Sequence, residues 1–494
     1  MAMTTRLSLA TLGQLGPRVA VPKYQRGQLI PGIVHIGVGN FHRAHQAIYL
    51  DALFNTGRDL DWAIVGTGVQ QADIRMHDAL AAQDFLTTVV EQEADKSTAR
   101  VTGVMASMIK PGDRASLVTL LSQPTTRIVS LTVTEGGYYI DPATGRFNPD
   151  APEIRNDAIH PEEPSTAFGL IVQGLARRRA VGLKPFTVMC CDNVPHNGVI
   201  TRNAVVGLAH LSNPDLAKWI DAEAAFPNAM VDRITPATSD RERKMLADDF
   251  GIDDQWPVFC EEYIQWVLED RFCDGRPSLE NVGVTFVADV TPYEFMKIRI
   301  LNGGHAVIAY PGSLLDVHYV HDAMAHPLIG GFLTKVEREE IIPTVPPVPS
   351  TNLVEYYKLI HRRFSNPKIG DTIPRLAFDG SNRQPKFIVP VIADRLKSGG
   401  GISGLALESA LWCRHCAGTS ASGKAIGPSD PSWDRLKAKA EESRHDPLAW
   451  LAMTDIYGEV GKAPQMRDAF AAALADIWTN GPAAAIEKYL SPPV

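Results

Sequence analysis

The segment from Thr291 to Tyr310, TPYEFMKIRILNGGHAVIAY, brings Lys297, Asn302 and His305 together in a run that is otherwise largely apolar. A lysine in such surroundings is either desolvated or paired, and both change its acidity. Free lysine titrates at about 10.4, too high for a base near neutrality, but burial disfavours the ammonium and brings it to roughly 7–8. Lys297 is therefore a candidate general base; the competing reading is that it snorkels to the surface. Asn193, in CDNVPHNG, is either an amide donor to a substrate oxygen or a turn former. Arg375, Arg383 and Lys386 surround the glycine turn FDGSNRQPK, as a solvated loop or as a clamp on substrate. Asp232 and Arg233 are neighbours in AFPNAMVDRITP, where adjacent opposite charges usually serve structural hydrogen bonds.

The elements that position these groups follow from local pattern. Thr291, Pro292 and Glu294 form a helix start: an N-cap hydroxyl, a proline at the first helical position and a capping-box carboxylate. With Lys297 at zero and about 100° per residue, Glu294, Asn302 and His305 fall at about +60°, +140° and +80°, on one helix face. Gly303 and Gly304 each weaken a helix by about 1 kcal/mol relative to alanine, which points to a close approach by another group.

Near the N-terminus, GIVHIGVGNFHRAH gives a buried strand over Ile33–Ile36, a tight turn at Gly37 and Gly39, and a helix pointing at that turn, the arrangement that binds a pyrophosphate. The third glycine of GxGxxG is missing; His42 stands there. A second strand, Trp62–Val69, completes a βαβ unit. Asp73 beyond it is either a ribose acceptor or a helix cap. No arginine or lysine lies between Val65 and Ile74 to pair a 2′-phosphate, which favours NAD over NADP. Strands over Arg127–Thr134 and Phe186–Cys191 end in polar residues, where open α/β sheets place their ligand crevice. Gly37, Gly39, Asn40, Phe41, Asp73, Thr134 and Glu135 are the candidate cofactor contacts. The C-terminal half has helical apolar periodicity over Tyr356–Phe364, Phe387–Leu396, Leu405–Ala417 and Gln465–Trp478. A boundary near Val287–Val290 predicts an NAD-binding domain over 1–288 and a mainly helical substrate domain over 289–494.

At 494 residues, 45% hydrophobic and with a net charge of −8, the chain has no basic face for nucleic acid or an anionic membrane. Arg177–Arg179 reads as a solvated helix end. No apolar run reaches the roughly 18 residues of a membrane span and no signal peptide is evident, so the cytoplasm is expected. The six cysteines suggest reduced core residues rather than disulfides. Cys413-Arg-His-Cys416 resembles half a zinc site, with no second half, inside a helical pattern.

GVGNFHRAHQA, TVTEGGYY, CDNVPHNG, FPNAMVDRITP and MKIRILNGGHA, in this order over nearly the whole length, resemble the polyol-specific long-chain dehydrogenase/reductase (mannitol dehydrogenase) family. The resemblance implies an α/β fold with a Rossmann-type N-terminal domain and a mainly α-helical C-terminal domain. It also implies no catalytic metal and a small-molecule polyol or ketose as substrate; a monomer or weak oligomer is expected. The implied reaction is NAD-linked interconversion of a sugar alcohol such as mannitol and its ketose; fructuronate reductases and arabinitol dehydrogenases share the frame. By position, Lys297 matches the family's base, Asn193 and Asn302 its pair of amides at the reacting oxygen, and His305 its substrate-orienting histidine. Asp232 and Arg375 match positions lining the substrate pocket. Gly304 and Arg383 stand where mannitol enzymes tend to have serine and lysine, which bears on contacts to the distal hydroxyls. Ala72-Asp73 stands where some members have Glu-Asp, which bears on discrimination against NADP.

Overall fold

The structure is a computed structural model describing residues 4–141 and 145–491; the side chain of Glu135 lies outside the described residues. Two compact units make up the chain, Met1–Val290 and Thr291–Val494.

The first unit is built on a parallel sheet of β1 (Pro31–Ile36), β2 (Ala63–Thr67), β3 (Met105–Ile109), β4 (Ile128–Leu131) and β5 (Thr187–Cys190). Their spatial order is β3-β2-β1-β4-β5, every pair parallel. This is Rossmann topology, with the strand order reversing between β1 and β4. Side chains alternate across each strand and both faces are covered, so the strands are apolar throughout. Val34, Ile36, Val129, Leu131 and Val188 face a core with Leu117, Phe168, Leu175 and Leu208. Ile33, Ile64, Ile128 and Met189 face the other, with Leu50, Leu53, Phe54 and Trp266. Sequence periodicity missed β3 and the antiparallel hairpin of Thr87–Gln92 with Ser97–Thr102, whose buried Thr87, Thr88, Gln92 and Thr102 dilute the apolar signal.

The expected helix after the glycine turn is broken. Asn40–Ala44 forms one short helix and Gln46–Phe54 a second, with His45 between them at φ −123, ψ −85. A five-residue helix carries little macrodipole, so any anion at this turn depends on local N–H groups. Arg178 also departs from expectation. It is buried at the end of the Ala167–Ala180 helix, donating to the carbonyls of Lys184 at 2.6 Å and Gln123 at 2.5 Å.

The second unit is helical. Gly303–Leu314 is its buried axis, packed by Pro327–Val336, Ile373–Ala377 and Ser403–Cys416. Glycines permit the approach: a Cβ on Gly304 would lie 3.0 Å from Glu337 Oε1, and one on Gly312 would lie 2.8 Å from Ile373 Cδ1. Cys413 and Cys416 are buried in their helix, and His415 between them bridges the hydroxyls of Ser313 and Ser429, each at 3.0 Å. No helix among the described residues is long and apolar enough to cross a membrane.

Candidate active site

In the first unit, the carboxyl ends of β1 and β4 are tied by a chain of hydrogen bonds. Gly37 and Val38 donate to the Thr67 carbonyl at 2.9 and 3.1 Å, and the Thr132 hydroxyl donates to the Gly37 carbonyl at 2.6 Å. That leaves His35 Nε2–H to donate to Thr132 Oγ1 at 2.9 Å, while Nδ1 faces Ser130 Oγ at 2.8 Å. Burial takes the His35 pKa down to about 3, so the ring is neutral and acts as a strut. Gly37 has φ +98, and a Cβ there would lie 2.2 Å from the Thr132 carbonyl oxygen; only glycine fits. At Gly39 a Cβ would meet only the Gly37 carbonyl, at 3.7 Å, so the space before the turn is open to a ligand close to the backbone.

Asn40 and Phe41 hold this turn from behind. Asn40 Nδ2 donates to the Pro236 carbonyl at 3.2 Å, its Oδ1 accepts from Arg43 Nη2 at 2.8 Å, and Phe41 stacks on His45 at 4.8 Å. Asp73 serves as a cap: Oδ2 accepts from the N–H groups of Val69 and Gln70, both at 2.8 Å, closing a capping box on the short turn Gln71–Asp73. The ribose reading of Asp73 has only its other oxygen to draw on.

Past β4, Thr134 takes φ +67 and leads into the turn Glu135–Tyr138. The organiser here is Asp192, which sequence reasoning passed over in favour of its neighbour. Its Oδ2 accepts from Val133 N at 2.8 Å and from the Tyr138 hydroxyl at 2.6 Å, and Oδ1 accepts from Thr134 N at 3.2 Å. Asn193 follows it, exposed, in the bend after β5. Asp232 is buried at the end of the strand Ala229–Asp232. Arg233 is structural, as adjacency suggested: its buried guanidinium donates to the Ala44 carbonyl at 2.6 Å, the Glu261 carbonyl at 2.9 and 3.0 Å, and Glu91 Oε1 at 2.7 Å.

In the second unit, the helix begins at Thr291, but the single-face wheel does not hold. Thr291–Met296 is α-helical; Lys297–Asn302 is π-helical; α-helix resumes at Gly303. The i→i+5 bonding widens the turn and shifts every later residue on the wheel, a feature concentrated at functional sites. Lys297 is 6% exposed and Glu294 is also 6% exposed. The snorkelling reading of Lys297 is thereby excluded.

His305 stacks on Phe364 with centroids 4.2 Å apart and planes at 14°. Its Nε2 is shielded from solvent and has no hydrogen-bond partner among the described residues. Burial, with the charge of Arg375 next in weight, takes its pKa down to about 3; Asp371 opposes, and Arg383 and Arg363 add to the depression. His305 is therefore neutral, and its buried Nε2 has a hydrogen-bonding capacity that no described residue meets. Arg375 lies in Ile373–Ala377, and Arg383 and Lys386 in a helix over Gly380–Phe387 where a loop was expected. Arg383 Nη1 donates to the Leu376 carbonyl at 2.8 Å; Arg375 is exposed and pairs with Asp371; Lys386 is exposed. The Asp371–Arg375 pair and Glu337, fully buried beside Gly304, were both missed. Only the first had a sequence signal, an acid four residues before an arginine.

Known proteins match this chain along its length. Residues 31–281 match the family model for the mannitol dehydrogenase Rossmann domain and 289–478 that for the mannitol dehydrogenase C-terminal domain. A mannitol 2-dehydrogenase of Cereibacter sphaeroides is 56% identical over 96% of this chain and 99% of its own; one from Neosartorya fischeri is 42% identical over 96% of each. Among solved structures, Pseudomonas fluorescens mannitol 2-dehydrogenase in ternary complex with NAD and D-mannitol superposes with a TM-score of 0.88 at 42% identity, covering 99% of this chain and 100% of that one. A D-sorbitol dehydrogenase in substrate-free form gives 0.90 at 36% identity, covering 97% and 100%.

Proposed function

Because the chain belongs to the mannitol dehydrogenase family, we propose that it is an NAD-dependent polyol dehydrogenase, oxidising mannitol or a related sugar alcohol to its ketose and catalysing the reverse reduction. The observation that carries this reading is the buried Lys297 at the head of a π-helical turn that ends at Asn302. NAD, when bound, supplies the acceptor for the hydride leaving the carbinol carbon. Gly37 and Gly39 fit such a group, since the turn is glycine by necessity at the first position and opens onto free space at the second. Asn40, Phe41, Thr134, Glu135 and Asp73 complete the proposed cofactor contacts.

Lys297, as a neutral amine, takes the hydroxyl proton and becomes an ammonium as the carbon–oxygen bond gains double-bond character. Asn193 and Asn302 donate amide N–H groups to the oxygen while it carries negative charge; loss of one such donor typically costs about 3–4 kcal/mol of barrier. A carboxamide stabilises the anion without offering a competing acid. His305, neutral, orients a substrate hydroxyl through Nε2. Asp232, Arg375, Arg383 and Lys386 contact the remaining hydroxyls. The buried Glu294, one turn before Lys297, is a route for the proton away from the amine.

Mannitol, sorbitol and arabinitol assayed side by side with NAD and with NADP, followed by absorbance of the reduced cofactor, test this reading. Turnover of at least one polyol with NAD is expected, and turnover of none would overturn it.

A further inference from the structure

Asp371 grips Arg375 with both carboxylate oxygens: Arg375 Nε donates to Oδ1 at 2.5 Å and Nη2 donates to Oδ2. Exposure is uneven within the pair, with the aspartate side chain 10% exposed and the arginine 54%. Backbone bonds fix the aspartate: Val320 N donates to its carbonyl at 2.9 Å, and Ile373 N, two residues on, donates to the His318 carbonyl at 2.8 Å. The rigid partner is the acid, and it sets the position of the arginine. Burial works to raise the Asp371 acid, but the hydrogen bonds and charge of Arg375 outweigh it, so the group is held ionised below its ordinary range.

A guanidinium fork matches a carboxylate at two points, so an unpaired arginine near His305 would be a receptor for a sugar acid. Here the Nε–Nη2 edge of that fork is already filled from within the chain. A substrate carboxylate seeking that edge would have to displace Asp371 and leave a nearly buried carboxylate without its partner. Arg363 and Arg383 also act on His305, so the discrimination is assigned to the occupied Nε–Nη2 edge of Arg375 rather than to net charge. We propose that Asp371 is a specificity-determining residue: by occupying the fork of Arg375 it rejects carboxylate-bearing sugars and leaves the site selective for uncharged polyols. This rests on the polyol dehydrogenase reading above.

The test compares kcat/KM for D-mannitol and D-mannonate in the wild type, Asp371→Asn, Asp371→Glu and Asp371→Asn/Arg375→Ala. The mannonate-to-mannitol ratio is expected to rise at least about tenfold in Asp371→Asn, to stay near wild type in Asp371→Glu, and to fall back in the double variant. An unmoved ratio in Asp371→Asn, or a rise that survives loss of Arg375, overturns the proposal, including the case in which both substrates decline together. If Asp371→Asn does not fold, Arg375→Ala decides: the unpaired aspartate should lower the ratio further, and a rise refutes the idea. Absence of any polyol turnover by the wild type would remove the parent reading as well, whereas polyol turnover with an unmoved ratio removes only this one.

Discussion

Arg43 reaches back along its own short helix and donates from Nη2 to Asn40 Oδ1, 2.8 Å away. The same guanidinium holds the Gly39 carbonyl at 3.2 Å and the Trp256 carbonyl, and it is 1% exposed. Burial lowers its pKa to about 10, leaving it charged at neutral pH. A helix too short to hold the glycine turn by itself is thus clamped from behind by a buried cation.

Arg43→Lys keeps the charge but cannot reach three acceptors in one plane. Hydrogen bonds to charged groups contribute about 1.5–3 kcal/mol each, so a loss of at least about 2 kcal/mol in denaturant unfolding is expected, with weaker NADH binding by fluorescence titration. Unchanged NADH affinity would show that the clamp does not serve the cofactor turn.

Asp192→Asn replaces a triple acceptor with a group having one acceptor oxygen, leaving Val133 N, Thr134 N or the Tyr138 hydroxyl unsatisfied. A cost of about 1–3 kcal/mol is expected, since a buried donor loses its partner. Tyr138→Phe, which removes one donor and retains the acid, should cost less. Thermal unfolding of the two variants checks the order.

Two buried acids should make stability fall with rising pH. Burial, only partly offset by Gln384 and Ser409, pushes Glu408 up to about 8, and Gln384 Nε2 donates to it at 2.5 Å. Burial alone drives Glu337 well upward, and neither of its oxygens has a hydrogen-bond partner among the described residues. Both acids fold protonated. Their favourable contribution is fully present below about 4.5, the ordinary value, and for Glu408 is lost as pH rises through about 8, a span on the order of 5 kcal/mol. Glu408→Gln should therefore gain on the wild type in melting temperature between pH 5 and pH 8. A constant difference across that range would mean that Glu408 does not titrate on unfolding.

Much of this architecture is legible in the chain because its signals are local. Ile33–Ile36 with Gly37 and Gly39 announces the first βα turn, since a buried parallel strand is apolar on both faces and the turn requires glycine. What escapes reading depends on non-local contacts or on departures from regular geometry. The break at His45 follows from contacts with Gln265 and Trp266, far along the chain. The π turn defeats a wheel drawn at about 100° per residue. Asp73 carries both signals at once: a candidate cofactor contact whose Oδ2 also caps its own backbone. Asp192 was hidden because the donors to its carboxylate at residues 133, 134 and 138 are brought near only by the pairing of β4 with β5.

The base itself admits the most direct test, measuring kcat and the NADH dissociation constant together for Lys297→Ala. The account predicts a fall in kcat of about 10²–10⁴-fold with NADH affinity close to wild type. A turnover number within tenfold of the wild type would contradict it.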